Sequence, residues 1–397
     1  MSDFRRMIFA ATALCALVFA TISCQSTSRG DTIAHRSKIN PSMTRALWID
    51  SWGPGIATAA QCDAAIAHAK EAGYNTLLIE VRKVGDAYYE SSLEPRATDA
   101  PEFDALAYFI EHAKRQSGLR VEAWIVANRI WKGHAEPAES KPRHVIHVHP
   151  EWLLRRRDLA KEASSETPEP SLYLDPSQPG ARAWTADVAA DIVRHYDVDA
   201  IHLDYIRYPG SEWGYGAASL ARFRRDTGAT QDPAPDDAKF VQWRIDQVSR
   251  QLTEIRDAIR AVDPAVDLTA ATLTWGEIKG SDYAATRGYL EGLQDWPAWC
   301  RAGLLDVVYP MHYKREHDER WAADYRNWFQ LFRRVRRGTR LVVGVGAYLN
   351  DIAGSEAQLR DAWRAGFDGI AVFSYRSSNR GDADLARFTR ALRRSAQ

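Results

Sequence analysis

Cysteine is scarce in this chain, four in 397 residues, at Cys15, Cys24, Cys62 and Cys300. That excludes a disulfide scaffold and a cysteine-held metal cluster. Net charge is also missing: 52 Lys and Arg stand against 52 Asp and Glu, and removing Asp3, Arg5 and Arg6 with a leader leaves 50 against 51. No electrostatic case for a nucleic-acid partner follows from such a balance. Neither His202 nor His312 has another histidine at H-x-H or H-x-x-x-H spacing. A metal-dependent hydrolase using His202, Asp204 and His312 therefore lacks its usual sequence mark, and neither a metal nor another cofactor is expected. One long apolar run exists, Ile8 to Ile22, and it is too short for a comfortable membrane span.

That run follows Arg5 and Arg6 and leads into Thr21-Ile22-Ser23-Cys24. The order is that of a secretory signal over residues 1–23. Small residues ahead of Cys24 match a bacterial lipobox, in which the cysteine becomes the lipidated first residue; Thr21 stands where Leu is usual, so simple cleavage and release is the alternative. Residues 24–44 then read as a lipidated Cys24 and a polar tether that cannot bury a core. The expectation is an exported protein of the bacterial envelope, held to the membrane by lipid on Cys24. Residues 45–392 are read as one folded domain. Cys62 and Cys300 fall in it on separate helical units, and two buried thiols are expected, with a bridge between them the alternative that an exported location permits.

Short apolar runs recur with helical patterns between them. Eight strands are expected, at Arg45–Asp50, Asn75–Arg82, Leu119–Ala127, Ala200–Asp204, Asp267–Thr272, Leu305–Pro310, Arg340–Gly346 and Gly369–Ser374. Ala59–Ala72 and Phe103–Gln116 carry apolar residues at helical spacing, and Gly73 and Gly366 stand where helices end. Strand, helix and glycine turn repeated this often specify an α/β fold, a single-domain (β/α)₈ TIM barrel, rather than an open sheet. Long loops follow strands 3 and 4. The first, Asn128 to about Ala183, holds ordered pieces at Trp152–Leu154 and Leu172–Pro176 around a solvated loop at Asp158–Pro170. The second, Ser211–Asp237, is expected to cover the site through Trp213, Gly214, Tyr215 and Gly216.

Strand ends carry the chemistry in such a barrel. The fourth strand runs into His202-Leu203-Asp204-Tyr205-Ile206-Arg207-Tyr208, and alternation puts His202 and Asp204 on one face. Asp204 is the first candidate catalytic acid; its structural alternative is a cap or loop anchor. Glu80 and Arg82, on one face of the second strand, are a salt bridge at the mouth or sugar ligands. Asp86 after Gly85 is a ligand or a turn acid, and Asn128 a ligand or a loop tie. Beyond the fifth strand, Trp275 offers an aromatic platform and Glu277 a second carboxylate. Two carboxylates flanking a bond are what glycoside hydrolysis requires, with Asp204 as nucleophile or base and Glu277 as proton donor. Tyr309, His312 and Tyr375 add donors and rings to the same rim. The 14 Trp and 16 Tyr, several just past strands, suit stacking on sugar faces as well as core filling.

Taken together, Arg45-Ala46-Leu47-Trp48-Ile49, Glu80-Val81-Arg82 with Gly85-Asp86-Ala87-Tyr88-Tyr89, Glu122-Ala123-Trp124, His149-Pro150-Glu151-Trp152-Leu153, Tyr173-Leu174-Asp175-Pro176, Ile201 to Pro209 and Phe373-Ser374-Tyr375 resemble the family 10 glycosyl-hydrolase-like proteins, bacterial barrels related to α-amylase-type hydrolases. The resemblance implies an envelope glycoside hydrolase, with some relatives being lipoproteins that cut peptidoglycan glycan strands after the stem peptides have gone. By analogy with amylase-type barrels it implies Asp204 as nucleophile. It leaves the general acid open between Glu277 and Glu80. Many relatives carry two successive acids at this strand end, whereas Tyr205 follows Asp204 here. Arg82, Asp86, Asn128, His202, Arg207, Tyr208, Trp275, Tyr309, His312 and Tyr375 would hold a polysaccharide substrate. The rival from another class is a carbohydrate-binding envelope lipoprotein that has kept the cleft and lost catalysis.

Overall fold

A computed structural model describes residues 43–158, 170–336 and 338–376. The expected signal, Cys24, nearly all of the tether and most of the Asp158–Pro170 loop lie outside the described residues. Ten strands are present: β1 (Thr44–Ile49), β2 (Thr76–Arg82), β3 (Arg120–Val126), β4 (Arg129–Lys132), β5 (Ser171–Tyr173), β6 (Ala200–Asp204), β7 (Asp267–Leu273), β8 (Val307–Met311), β9 (Arg340–Gly346) and β10 (Gly369–Phe373). Eight of them close in the order β1-β10-β9-β8-β7-β6-β3-β2, every pairing parallel. All eight expected strands are there. The fold is an eight-stranded (β/α)₈ barrel.

The sequence closes this way because each strand is buried on both faces. One set of side chains, including Leu47, Leu77, Val121, Ile201, Leu268 and Val343, packs outward under helices. The other set fills the inside: Ala46, Trp48, Leu78, Trp124, Val307, Tyr309, Val342 and Ala371 form one cluster, so the barrel is a packed core rather than a pore. The helix Ala59–Ala72 starts where Thr58 caps Gln61 and ends at Gly73, whose φ of 80° only glycine adopts without cost. Cys62 and Cys300 are free and buried, as two thiols.

The two long loops differ from each other in use. The first carries β4 paired antiparallel with β5, a small two-stranded flap that puts Arg129 beside the barrel mouth. The second folds into the helix Ala217–Thr227, and Trp213 and Tyr215 pack against Tyr173 and Phe240. Neither ring lines the mouth, so the expected cover over Asp204 is instead a buttress. Apolar packing on the flap and on the helix Ala238–Val262 outweighs exposure of two large rings.

Candidate active site

The C-terminal ends of the barrel strands surround a cleft of about 1140 Å³. That exceeds the ~300–1,000 Å³ common for drug-sized ligands, which leaves room for an oligosaccharide. Asp50, Glu80 and Asp204 reach it from the ends of β1, β2 and β6. Trp124, Arg129, Tyr205, Arg207, Trp275 and Tyr313 line it beside them.

Glu80 keeps the inward parity of Leu78, and the alternation breaks only after it, before Arg82. The β2–β3 register shifts between Glu80 and Arg82: Glu80 pairs with Trp124, and Arg82 with the very next residue, Ile125. Such a bulge re-aims one side chain, here that of Arg82. Glu80 points into the cleft, where its Oε2 accepts from the Ser51 N–H (2.9 Å) and the Ser51 hydroxyl (2.7 Å). Burial pushes its carboxyl up to about 7, against the pull of Ser51 and Arg129 and with help from the Asp50 charge.

Arg82, freed of the same face, is wholly buried with Glu94 in a two-pronged pair at 2.6 Å and also donates to the Val126 and Ala127 carbonyls. It is therefore a strut and not a sugar ligand or a partner of Glu80. Arg82→Ala should lower unfolding free energy by about 3–5 kcal/mol, because Glu94 would stay buried without its partner. Chemical denaturation checks this, and an Arg82→Met, Glu94→Leu double variant should recover most of the loss.

Asp204 ends β6. Its carboxyl is held above the ordinary range by burial, with Arg207, the Tyr205 N–H and Arg129 pulling the other way. Oδ1 accepts from the Tyr205 N–H at 2.6 Å. Tyr205 itself sits at φ 50°, left-handed backbone that a non-glycine residue adopts at a cost. Two guanidiniums flank its ring, Arg129 at 4.3 Å and Arg207 at 4.2 Å, and Arg207 also lies 4.7 Å from the Trp275 ring.

The opposite wall is aromatic: Tyr313, Tyr348 and Phe373 contact one another at centroid distances of 5.5 to 6.1 Å. The Tyr313 hydroxyl is buried without a protein partner. Burial and the nearby Asp204 charge hold it well above the ordinary phenol range. At the rim, Asp50 Oδ1 accepts from the Trp52 and Gly53 N–H groups. That turn holds the Trp52 ring 51 % exposed, and Tyr348 is 45 % exposed.

Of the residues singled out from sequence, Asp204, Glu80, Arg207 and Trp275 meet in this cleft. The others do not line it. Glu277 follows Gly276, whose φ of 82° turns the chain away; its carboxylate is half-exposed and paired with Arg320, so it is not positioned as proton donor. Asp86 is a turn acid, accepting from the Val84 N–H at 3.0 Å. Asn128 ties a loop, donating to the Arg207 carbonyl and accepting from Gln251. His202 lies inside the barrel, accepting from the Trp48 indole at 3.1 Å and sitting 2.9 Å from Thr269 Oγ1; burial pushes it down to about 3, so it is neutral. Tyr309 donates to Glu122 in the same interior. Tyr208 is buried beside Arg244. His312 donates from Nε2 to the Tyr325 carbonyl and stacks on that ring. Tyr375 packs on His68. With His202 and His312 so engaged, the metal set of the two histidines and Asp204 is not assembled. Trp52, Arg129, Tyr205, Tyr313 and Tyr348 were not singled out, although the frequency of aromatics just beyond strands pointed toward four of them.

The barrel is like several solved carbohydrate-enzyme domains. The catalytic domain of β-amylase from Paenibacillus polymyxa superposes with a TM-score of 0.63 at 12% identity, over 90% of this chain and 100% of that one. The glycoside hydrolase domain of PgaB (BpsB) from Bordetella bronchiseptica gives 0.61 at 13% identity, over 88% and 99%. At such identities the likeness is one of fold. In sequence, "Glycosyl hydrolase YngK" of Bacillus subtilis (strain 168) is 25% identical over 258 residues, 61% of this chain and 46% of that protein, so the match spans about half of the relative's length. The model of the Glycosyl hydrolase-like 10 family matches residues 43–354, the barrel from before β1 to beyond β9, and the chain belongs to that family.

Proposed function

We propose that the cleft hydrolyses O-glycosidic bonds of an extracytoplasmic polysaccharide, with peptidoglycan glycan strands freed of stem peptides as the first substrate to try. The observation that carries this reading is the pair of buried carboxyls in one cleft, Glu80 pushed up to about 7 and Asp204 raised by burial with the charges of Arg207 and Arg129 pulling the other way. Two carboxyls with different charged neighbours suit opposite roles. Protonated Glu80 gives its proton to the leaving oxygen as the C1–O bond breaks, and ionised Asp204 attacks C1 or takes the proton of the water that does. Glu80 thus replaces Glu277 as donor. Membership of a glycosyl-hydrolase-like family supports the reaction class. The leader-like N-terminus and Cys24 support an exported, lipid-anchored protein.

Purified protein is incubated with stem-free peptidoglycan strands and a panel of bacterial and plant polysaccharides, and new reducing ends are measured. Release from one class supports hydrolysis and names it; binding without release moves the cleft to a purely glycan-binding role. The exposed Trp52 is the outer platform in this reading. Trp52→Ala should raise KM about three- to tenfold through lost ring stacking, with kcat and the thermal midpoint nearly unchanged.

A further inference from the structure

Beside the acids Asp50, Glu80 and Asp204, the cleft is lined by several cations that differ in how they are paired. Arg287 is paired with Glu291 at 2.8 Å and Lys314 with Asp324 at 2.8 Å. Arg129 and Arg207 also line the cleft, and neither makes a salt bridge among the described residues. Arg129 donates to the Tyr205 hydroxyl at 3.0 Å, Arg207 makes one long bond to the Tyr208 carbonyl at 3.4 Å, and the Nε–H of each is buried without a partner. Arg207 is only 8 % exposed. A guanidinium that far from water normally pairs with an acid or donates to several carbonyls.

Their rings and faces are fixed instead. Arg207 is held between Tyr205 and Trp275, and Arg129 covers the other contact of Tyr205 while reaching within 5.9 Å of the Trp52 ring. Stacking occupies the faces of a guanidinium and leaves its in-plane N–H edge for a planar acceptor. Around the same Trp52 ring stand Lys83 at 4.3 Å, itself paired with Asp99, and Lys132 at 4.9 Å. A neutral glycan gains little from such an arrangement; a carboxylate gains charge-assisted hydrogen bonds in a site of low dielectric.

We infer that the cleft selects a glycan whose sugars carry carboxylates, with Arg207 and Arg129 reading the acidic group on either side of Tyr205. The inference rests on the reading of the cleft as a glycan site, and it adds the charge of the substrate to it.

Binding of the full protein is measured by calorimetry to stem-free peptidoglycan strands, polygalacturonate and glucuronate-containing oligosaccharides, each beside its carboxyl-reduced counterpart, with reducing ends followed in parallel. At least one acidic glycan should bind about tenfold or more tighter than its reduced partner. Arg207→Gln and Arg129→Gln should each erase most of that difference. The parent comparison needs no variant, so poor folding of Arg207→Gln does not decide the matter. Equal binding within every pair, no binding to any member, or a preference that both variants keep would overturn the inference. Equal cleavage of acidic and reduced glycans would sink it and leave hydrolysis standing; preferential binding with no reducing ends would do the reverse.

Discussion

Asp204→Asn should hydrolyse the glycan about 10³-fold or more slowly than the parent while binding it as tightly. The substitution separates two roles. An Asn carbonyl can still accept the Tyr205 N–H that Asp204 Oδ1 accepts at 2.6 Å, so the left-handed turn at Tyr205 survives and a residue acting only as a loop anchor would show little change. The charge is what disappears. Because burial already disfavours that charge in the fold, the variant's unfolding midpoint at pH 8 should equal or exceed the parent's. Single-turnover rates, calorimetric binding and thermal unfolding on one preparation check all three. Full activity in the variant would return Asp204 to the loop.

Glu80 carries the second large effect, and its sign follows from the direction of its shift. As proton donor it must be protonated, so kcat/KM should fall about tenfold per pH unit above its folded-state value of about 7, while the acid limb belongs to the ionisation of Asp204. Glu80→Gln should remove that alkaline limb and cost about 10²- to 10⁴-fold at the optimum, least for substrates whose leaving group needs no proton. Stability moves with it. A carboxyl raised from 4.5 to about 7 on folding favours the folded state fully while it is neutral, below about pH 4.5, and that stabilisation is lost as pH rises toward 7. The loss is on the order of 3 kcal/mol. Denaturation at pH 5 and pH 8 should therefore show a larger drop in the parent than in Glu80→Gln. An unchanged alkaline limb in the variant would remove Glu80 from the proton's path.

The barrel was legible because its strands are apolar on both faces and separated by helical periods, a pattern that few folds share. The site was legible only where face and depth agree. Alternation puts His202 and Asp204 on the same inward face, but two residues of strand are about 6.6 Å of depth, enough to put His202 among Trp48, Trp124 and Tyr309 while Asp204 reaches the mouth. Tyr309 sits in that deeper layer too. Arg82 was misread because a one-residue register shift in β2 cancels the alternation on which its pairing with Glu80 was based. Glu277 lay past the strand, where alternation has ended and Gly276 sets the direction. The use of Tyr205 shows only in three dimensions: a ring on left-handed backbone that holds two guanidiniums apart. Arg129 comes from the flap of β4 and β5, whose pairing across a long loop leaves no short-range signal.

The two carboxyls also explain why neutral overall charge is compatible with a charged site. The balance of 52 and 52 is a property of the whole surface, whereas the cleft concentrates Glu80, Asp204, Arg129 and Arg207 where water is scarce and each charge counts for more.

The central claim is hydrolysis through Glu80 and Asp204, and one comparison tests it most directly: reducing ends released from the best glycan of the panel by the parent, Asp204→Asn and Glu80→Gln, with binding of each measured beside it. Release by the parent, near-total loss in both variants and retained binding in all three is the predicted result. Release that persists in either variant, or a parent that binds the glycan and never cuts it, would contradict the account.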